Sequence, residues 1–223
     1  MGTITRNAAN NFTTGGVILP AAINDASVAS LTELENVAAG GGAMTLISEQ
    51  TASASASISF TSGIDSTYPI YKFQWINCHA GSNNHFFRFY ASTDGGSSYG
   101  ATQTSTAFRA FHNEAGADGT LGYYASGDGA QTTSSVILTT ETSNLDDHAT
   151  SGEVFLYNPS STTFVKHFMS NSNTVFQNSP DYTMNDFRAG YFNTTSAINA
   201  CQFAFNVGNI DSGTIKLYGI SGS

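Results

Sequence analysis

Between residues 198 and 207 the side chains alternate, with Ile198, Ala200, Gln202, Ala204 and Asn206 on one face and Asn199, Cys201, Phe203, Phe205 and Val207 on the other. A period of two is that of a β-strand with one buried face. Gly208, Asn209, Asp211, Ser212 and Gly213 then supply turn chemistry, because Gly and Asn tolerate positive φ while Asp and Ser bond back to the backbone. A closing strand is predicted at 214–220. Read the same way, the upstream chain predicts strands at 44–48, 53–60, 68–78, 85–91, 104–112, 120–125, 134–140, 153–157, 163–169 and 187–192. In 68–78, Tyr71, Phe73, Trp75 and Asn77 share one face, and Pro69 must stand at the strand's start or on a sheet edge because it cannot donate to a ladder. Asp94-Gly95-Gly96 between two such runs is a hairpin signal. No long helical pattern interrupts the series, which excludes a parallel α/β sheet. The expectation is an all-β fold, an antiparallel, jelly-roll-like β-sandwich over residues 44–223.

Residues 1–43 break the pattern. Phe12 is their only aromatic residue, and Gly15-Gly16, Pro20 and Gly40-Gly41-Gly42 punctuate them. Val28, Leu31, Leu34 and Val37 recur every third residue, a spacing that drifts off one face of an α-helix within a few steps. Ser30 and Glu33 have the spacing of a capping box, which leaves a short helix open. The preferred reading is an N-terminal anchoring arm whose Val28, Leu31, Leu34 and Val37 pack against other copies or another protein.

Composition narrows the functional classes. Hydrophobic residues make up 40% of the 223 residues and charged residues only 10%, so Ser, Thr, Asn and Gln must cover much of the surface. Seven Lys and Arg against 16 Asp and Glu give a net charge of −9, which argues against sequence-independent nucleic-acid binding. Neither an apolar run long enough to span a bilayer nor a secretion-signal pattern is present, and Arg6 occupies the position where a myristoylation signal needs Ser or Thr. A protein made in the cytoplasm, without membrane insertion, is expected. Cys78 and Cys201 both lie in alternating runs and read as buried thiols.

Candidate chemistry is sparse. His79, His85, His112, His148 and His167 show no metal-ligand spacing, His112-Asn113-Glu114 reads as a solvated strand end, and no Ser lies in a Gly-x-Ser-x-Gly context. Two acidic loops, Asp146-Asp147-His148 and Gly127-Asp128-Gly129, carry the oxygen ligands Ca²⁺ requires but lack EF-hand spacing. No cofactor is expected. Aromatic residues beside Gly- and Asn-rich turns carry more promise: Tyr68, Tyr99, Tyr123, Tyr124, Phe176 and Tyr182. A ring that covers sugar C–H groups beside amides and hydroxyls is how a β domain binds glycans, so Tyr99, Tyr123, Tyr124, Phe176 and Tyr182 are the candidate glycan or receptor contacts. Capping of the sandwich ends and packing between subunits are the alternative uses of these rings.

The C-terminal stretch, Gly213-Thr-Ile-Lys-Leu-Tyr-Gly-Ile220 after its turn, resembles the end of a family of tailed-bacteriophage virion proteins with jelly-roll-like domains, abundant in marine phages. The resemblance extends through Asn158-Pro-Ser-Ser-Thr-Thr-Phe-Val-Lys-His-Phe168 back to Met44-Thr-Leu-Ile47. It implies a structural, non-enzymatic component of a phage particle at the virion surface. The partners expected are further copies of the chain, as a homotrimer motivated by the three-residue spacing of Val28, Leu31, Leu34 and Val37, together with tail or major capsid proteins and a host-surface glycan. A tail fibre or receptor-binding appendage is the leading expectation, with a capsid decoration protein and a polysaccharide-active enzyme behind it.

Overall fold

The computed structural model describes residues 44–221, so the arm residues Val28, Leu31, Leu34 and Val37 lie outside the described residues. The described residues form two antiparallel sheets packed face to face, the expected jelly-roll-like β-sandwich. Eight strands make the frame. β1 (Met44–Thr51), β3 (Ile70–Ala80), β9 (Thr150–Tyr157) and β13 (Ile210–Ile220) lie in the order β1-β13-β3-β9, and β2 (Ile58–Phe60), β4 (His85–Ser92), β8 (Val136–Thr142) and β12 (Ala200–Phe205) in the order β2-β12-β4-β8. Within the frame the chain changes sheet between β1 and β2, β2 and β3, β3 and β4, β8 and β9, β9 and β12, and β12 and β13, and stays in the second sheet from β4 to β8.

Two insertions widen the first sheet beyond the second. Between β4 and β8 come β5 (Gln103–Asn113), β6 (Gly119–Tyr123) and β7 (Gly129–Thr132); between β9 and β12 come β10 (Lys166–Phe176) and β11 (Tyr182–Phe192). They continue the sheet as β9-β10-β11-β5-β6, with β7 also paired to β5. The second sheet ends at β8, which packs over β10 and β11.

Under the frame the interior is aromatic. Tyr71, Phe73 and Trp75 point inward from β3 as their alternation predicts, and Phe203 from β12 meets them between Phe73 at 5.3 Å and Phe89 at 5.2 Å between ring centroids. Phe60 and Phe87 complete the cluster. Full burial of each such ring contributes roughly 1.5–3 kcal/mol. Cys78 and Cys201 are free thiols buried in the same layer, and burial pushes the Cys78 thiol up to about 12.

Four strands differ most from the sequence expectation. The 53–60 run is divided between the sheets: the Ala54 and Ser55 N–H groups donate to the Asp211 and Ile210 carbonyls of β13 at 3.0 and 2.9 Å, while Ile58–Phe60 pair with β12, and Ala54 at φ +47° interrupts the regular strand. The hairpin of β10 and β11 runs much further than the expected 163–169 and 187–192. β7 falls in a Gly- and Gln-containing segment with no hydrophobic alternation to announce it.

Candidate functional site

Polar side chains replace the aromatic core where the second sheet runs out. β8 is an edge strand, and side chains from the opposite sheet satisfy its outer backbone groups: Ser172 Oγ donates to the Leu138 carbonyl at 2.9 Å, and the Thr140 N–H donates to Asp186 Oδ2 at 3.1 Å. This explains two polar residues on the inward face of β10 and β11, since an unmet backbone group in the interior costs about 1–3 kcal/mol. Arg188 Nη2 donates to Asp186 Oδ1 at 2.9 Å, and both side chains are only 1% exposed. Burial holds the Asp186 carboxyl above its usual range, opposed by the Arg188 guanidinium and the Thr140 N–H, and the same burial lowers the Arg188 guanidinium.

Tyr124 closes this layer from above. The Arg109 guanidinium lies 4.1 Å and that of Arg188 5.4 Å from its ring centroid, so two positive charges share one π system. The short 3₁₀ turn after it, Ala125–Gly127, leads into Gly127-Asp128-Gly129. A Cβ at Gly127 would meet Arg188 Nη1 and the Tyr124 ring, and one at Gly129 the side-chain amide of Gln103, so a larger residue at either position displaces a side chain of the layer. A guanidinium directly beneath this loop opposes a bound cation there. Among the described residues no three His, Cys, Asp or Glu side chains are grouped as a metal ion would need.

The layer opens at one end into a cleft of about 180 Å³ lined by Arg109, Phe111, Asp118, Glu141, Phe176, Asn178, Tyr182 and Met184. Each wall has a local cause. Asn113 Oδ1 accepts from the Ala117 and Asp118 N–H groups at 2.9 and 3.2 Å, so the β5–β6 turn is folded around one side-chain amide that fixes Asp118. The β10–β11 turn is pinned by Asp181, whose Oδ1 accepts from the Asn178 N–H at 2.9 Å and whose carbonyl accepts from the Glu114 N–H at 2.9 Å. Glu141 has φ +57°, within an irregular stretch of the β4–β8 register where three β8 residues span the two from His85 to Phe87. Such a bulge re-aims a side chain, and here it sets Glu141 Oε2 3.6 Å from Arg109 Nη1.

The aromatic rings form one wall. Tyr182 lies 5.2 Å from Phe176 and 5.8 Å from Phe111 between centroids. Tyr182 donates its phenol to Asp118 Oδ2 at 2.8 Å, and that bond raises the phenol's pKa above its ordinary value. The cleft therefore offers apolar ring surface flanked by two carboxylates, a guanidinium and a side-chain amide. No family model, curated protein or solved structure matches this chain.

Of the five aromatic residues expected to contact a glycan, Phe176 and Tyr182 stand together in the cleft wall. Tyr124 is linked to it through Arg109. Tyr123 lies on the opposite, outer face of the sheet, where it hydrogen-bonds Asp128, and Tyr99 sits in the β4–β5 connection against Gly96. Sequence reasoning missed Arg109, Phe111, Asp118 and Glu141. Their one advance signal was rarity: in a chain only 10% charged, Arg109 and Glu141 interrupt strand-like runs.

Proposed function

We propose that this chain is a non-enzymatic, surface-exposed β-sandwich of a tailed-phage virion, a tail-fibre or receptor-binding type of appendage, and that the cleft around Tyr182 is where it meets host-surface glycan. The observation that carries the reading is the juxtaposition of the Phe176 and Tyr182 rings with Asp118, Glu141, Arg109 and Asn178 around one opening. Rings cover the C–H faces of a sugar, and carboxylates and amides accept and donate to its hydroxyls. The virion assignment rests on the likeness of the closing strand and of the 158–168 segment to phage virion proteins.

Binding is favoured over hydrolysis by how the two acids are held. Glycoside hydrolysis assigns one carboxyl as proton donor and the other as base or nucleophile. Asp118 instead accepts from the Tyr182 phenol and Glu141 pairs with Arg109, an arrangement that suits two acceptors. Titration of the full chain with host-surface polysaccharide tests the proposal. Saturable binding weakened at least tenfold by Tyr182→Ala, with no release of reducing sugar, is the expected result. Unchanged binding in that variant would remove the cleft from the reading, and release of reducing sugar would replace binding with catalysis. Quantitative mass spectrometry of purified virions tests the placement: a small copy number fits an appendage, one comparable to the major capsid protein a decoration.

A further inference from the structure

The outward face of the wide sheet has an unusual surface. Its side chains fall in rows across the strands, and one row reads Leu46, Tyr218, Lys72, Phe155, Met169, Ala189 and Thr106. The next reads Glu49, Lys216, Gln74, Glu153, Asn171, Phe187, Phe108 and Tyr123. Met169 is 54% exposed, Leu46 50% and Tyr123 67%, and on the neighbouring row Leu121 is 69% exposed. Met44, Ile76 and Phe108 are further exposed large apolar side chains of this face. Among the described residues, only Leu145, Phe164 and Val207 carry comparable exposure elsewhere. Beside the first row, on the side away from the second, runs an apolar trough of about 440 Å³ walled by Tyr157, His167, Met169 and Tyr191.

From this face we infer a self-association surface, whose occupant is the same face of a second copy of the chain. Two observations select that occupant. The first is charge. The Lys and Glu side chains in the two rows neutralise one another in place, Lys72 with Glu153 at 2.6 Å and Lys216 with Glu49 at 2.8 Å. None of the net charge of −9 therefore comes from these rows, and two copies of an acidic protein can bring this surface together without mutual repulsion.

The second is size. Eight strands at about 4.8 Å spacing and a paired length of about 25 Å present roughly 850 Å² to a partner, which matches the approximately 800 Å² per side of a stable interface. Sheets packed face to face in this way leave side chains of both to interdigitate. A surface that meets itself is isologous and closes with two-fold symmetry, so it makes a dimer. The trimer expected from the spacing of Val28, Leu31, Leu34 and Val37 would need a different surface.

Sedimentation equilibrium of the full chain tests the inference. The wild-type protein is expected at twice the 23.4 kDa chain mass. Met169→Glu places an unpaired charge at the centre of the face and is expected to sediment as a monomer with an unchanged far-ultraviolet circular dichroism spectrum, whereas Phe164→Lys, exposed but off the face, remains a dimer. A monomeric or trimeric wild type, or a dimer that Met169→Glu leaves intact, would overturn the inference. The face shares no residue with the cleft, so Met169→Glu is expected to retain glycan binding, and the failure of one reading leaves the other standing.

Discussion

The interior of this sandwich is two different materials under one pair of sheets. Beneath β2, β12 and β4 it is aromatic, with Phe203 ringed by Phe60, Phe73, Phe87 and Phe89. Beneath β8 and beyond it is polar, with Asp186, Arg188, Thr140 and Arg109 bonded to one another and to the backbone of the edge strand. The boundary follows the chain's construction: the jelly-roll frame encloses the first region, and the inserted strands β5, β6, β10 and β11 enclose much of the second. The aromatic half gains its stability without regard to direction, whereas the polar half holds only if each partner is in place. The cleft opens from the polar half because only there are charged side chains held at defined angles near the surface.

Deleting one side chain from each half gives the sharpest contrast. Phe203→Ala should cost about 4 kcal/mol in chemical denaturation, since it removes a ring at the hub of the aromatic cluster and leaves a cavity. Asp186→Leu strands both the Arg188 guanidinium and the Thr140 N–H and should cost about 3–4 kcal/mol, whereas the double substitution Asp186→Leu/Arg188→Met should recover the guanidinium's share and stop about 1–3 kcal/mol below wild type, because the Thr140 N–H stays unmet. No comparable second substitution is expected to rescue Phe203→Ala. Equal recovery in both halves would erase the distinction.

The two halves also differ in how far the sequence exposes them. Alternation of large apolar residues with polar ones places β3, β4, β12 and β13 within a few residues of their observed limits, because one face of each meets the aromatic layer. The run Ser170-Asn-Ser-Asn-Thr174 has polar residues at both phases, although Ser170, Ser172 and Thr174 are buried and Asn171 and Asn173 are not. Inward polar residues that serve a buried strand edge erase the hydrophobic period, so the hairpin of β10 and β11 appears shorter in the sequence than it is. The same physics hides the cleft. Phe176 and Tyr182 are visible as aromatic residues beside a turn, whereas Glu141 is aimed by a bulge and Asp118 by the amide of Asn113, and neither geometry is written in spacing.

Smaller effects refine the comparison. Gly127→Ala should destabilise by about 1–3 kcal/mol, because its Cβ meets the Arg188 guanidinium in a layer with little room to relax. A melt unchanged by that substitution would mean the Gly127-Asp128-Gly129 loop is not part of the polar layer. The least effect is expected at Asp94 in the frame's β4–β5 connection, where hydrogen bonds from Ser92 and Ser98 hold the carboxyl down at about 2 from 3.8. A depressed folded-state value contributes stability that is complete above the unfolded value and is lost as pH falls through the folded one. The wild type should therefore lose a small increment of stability between about pH 4 and about pH 2 that Asp94→Asn lacks, read from urea midpoints across that range.

The position of β13 has a consequence for biosynthesis. It lies between β1 and β3, with Met44 paired to Ile220, although the ribosome makes it after every other described strand. Until β13 emerges, β1 has no neighbour and β3 lacks one side, so the nascent frame must wait with those edges open. Contacts this distant in sequence slow folding and leave strand edges open meanwhile, so the frame closes only after the last of its strands has been made.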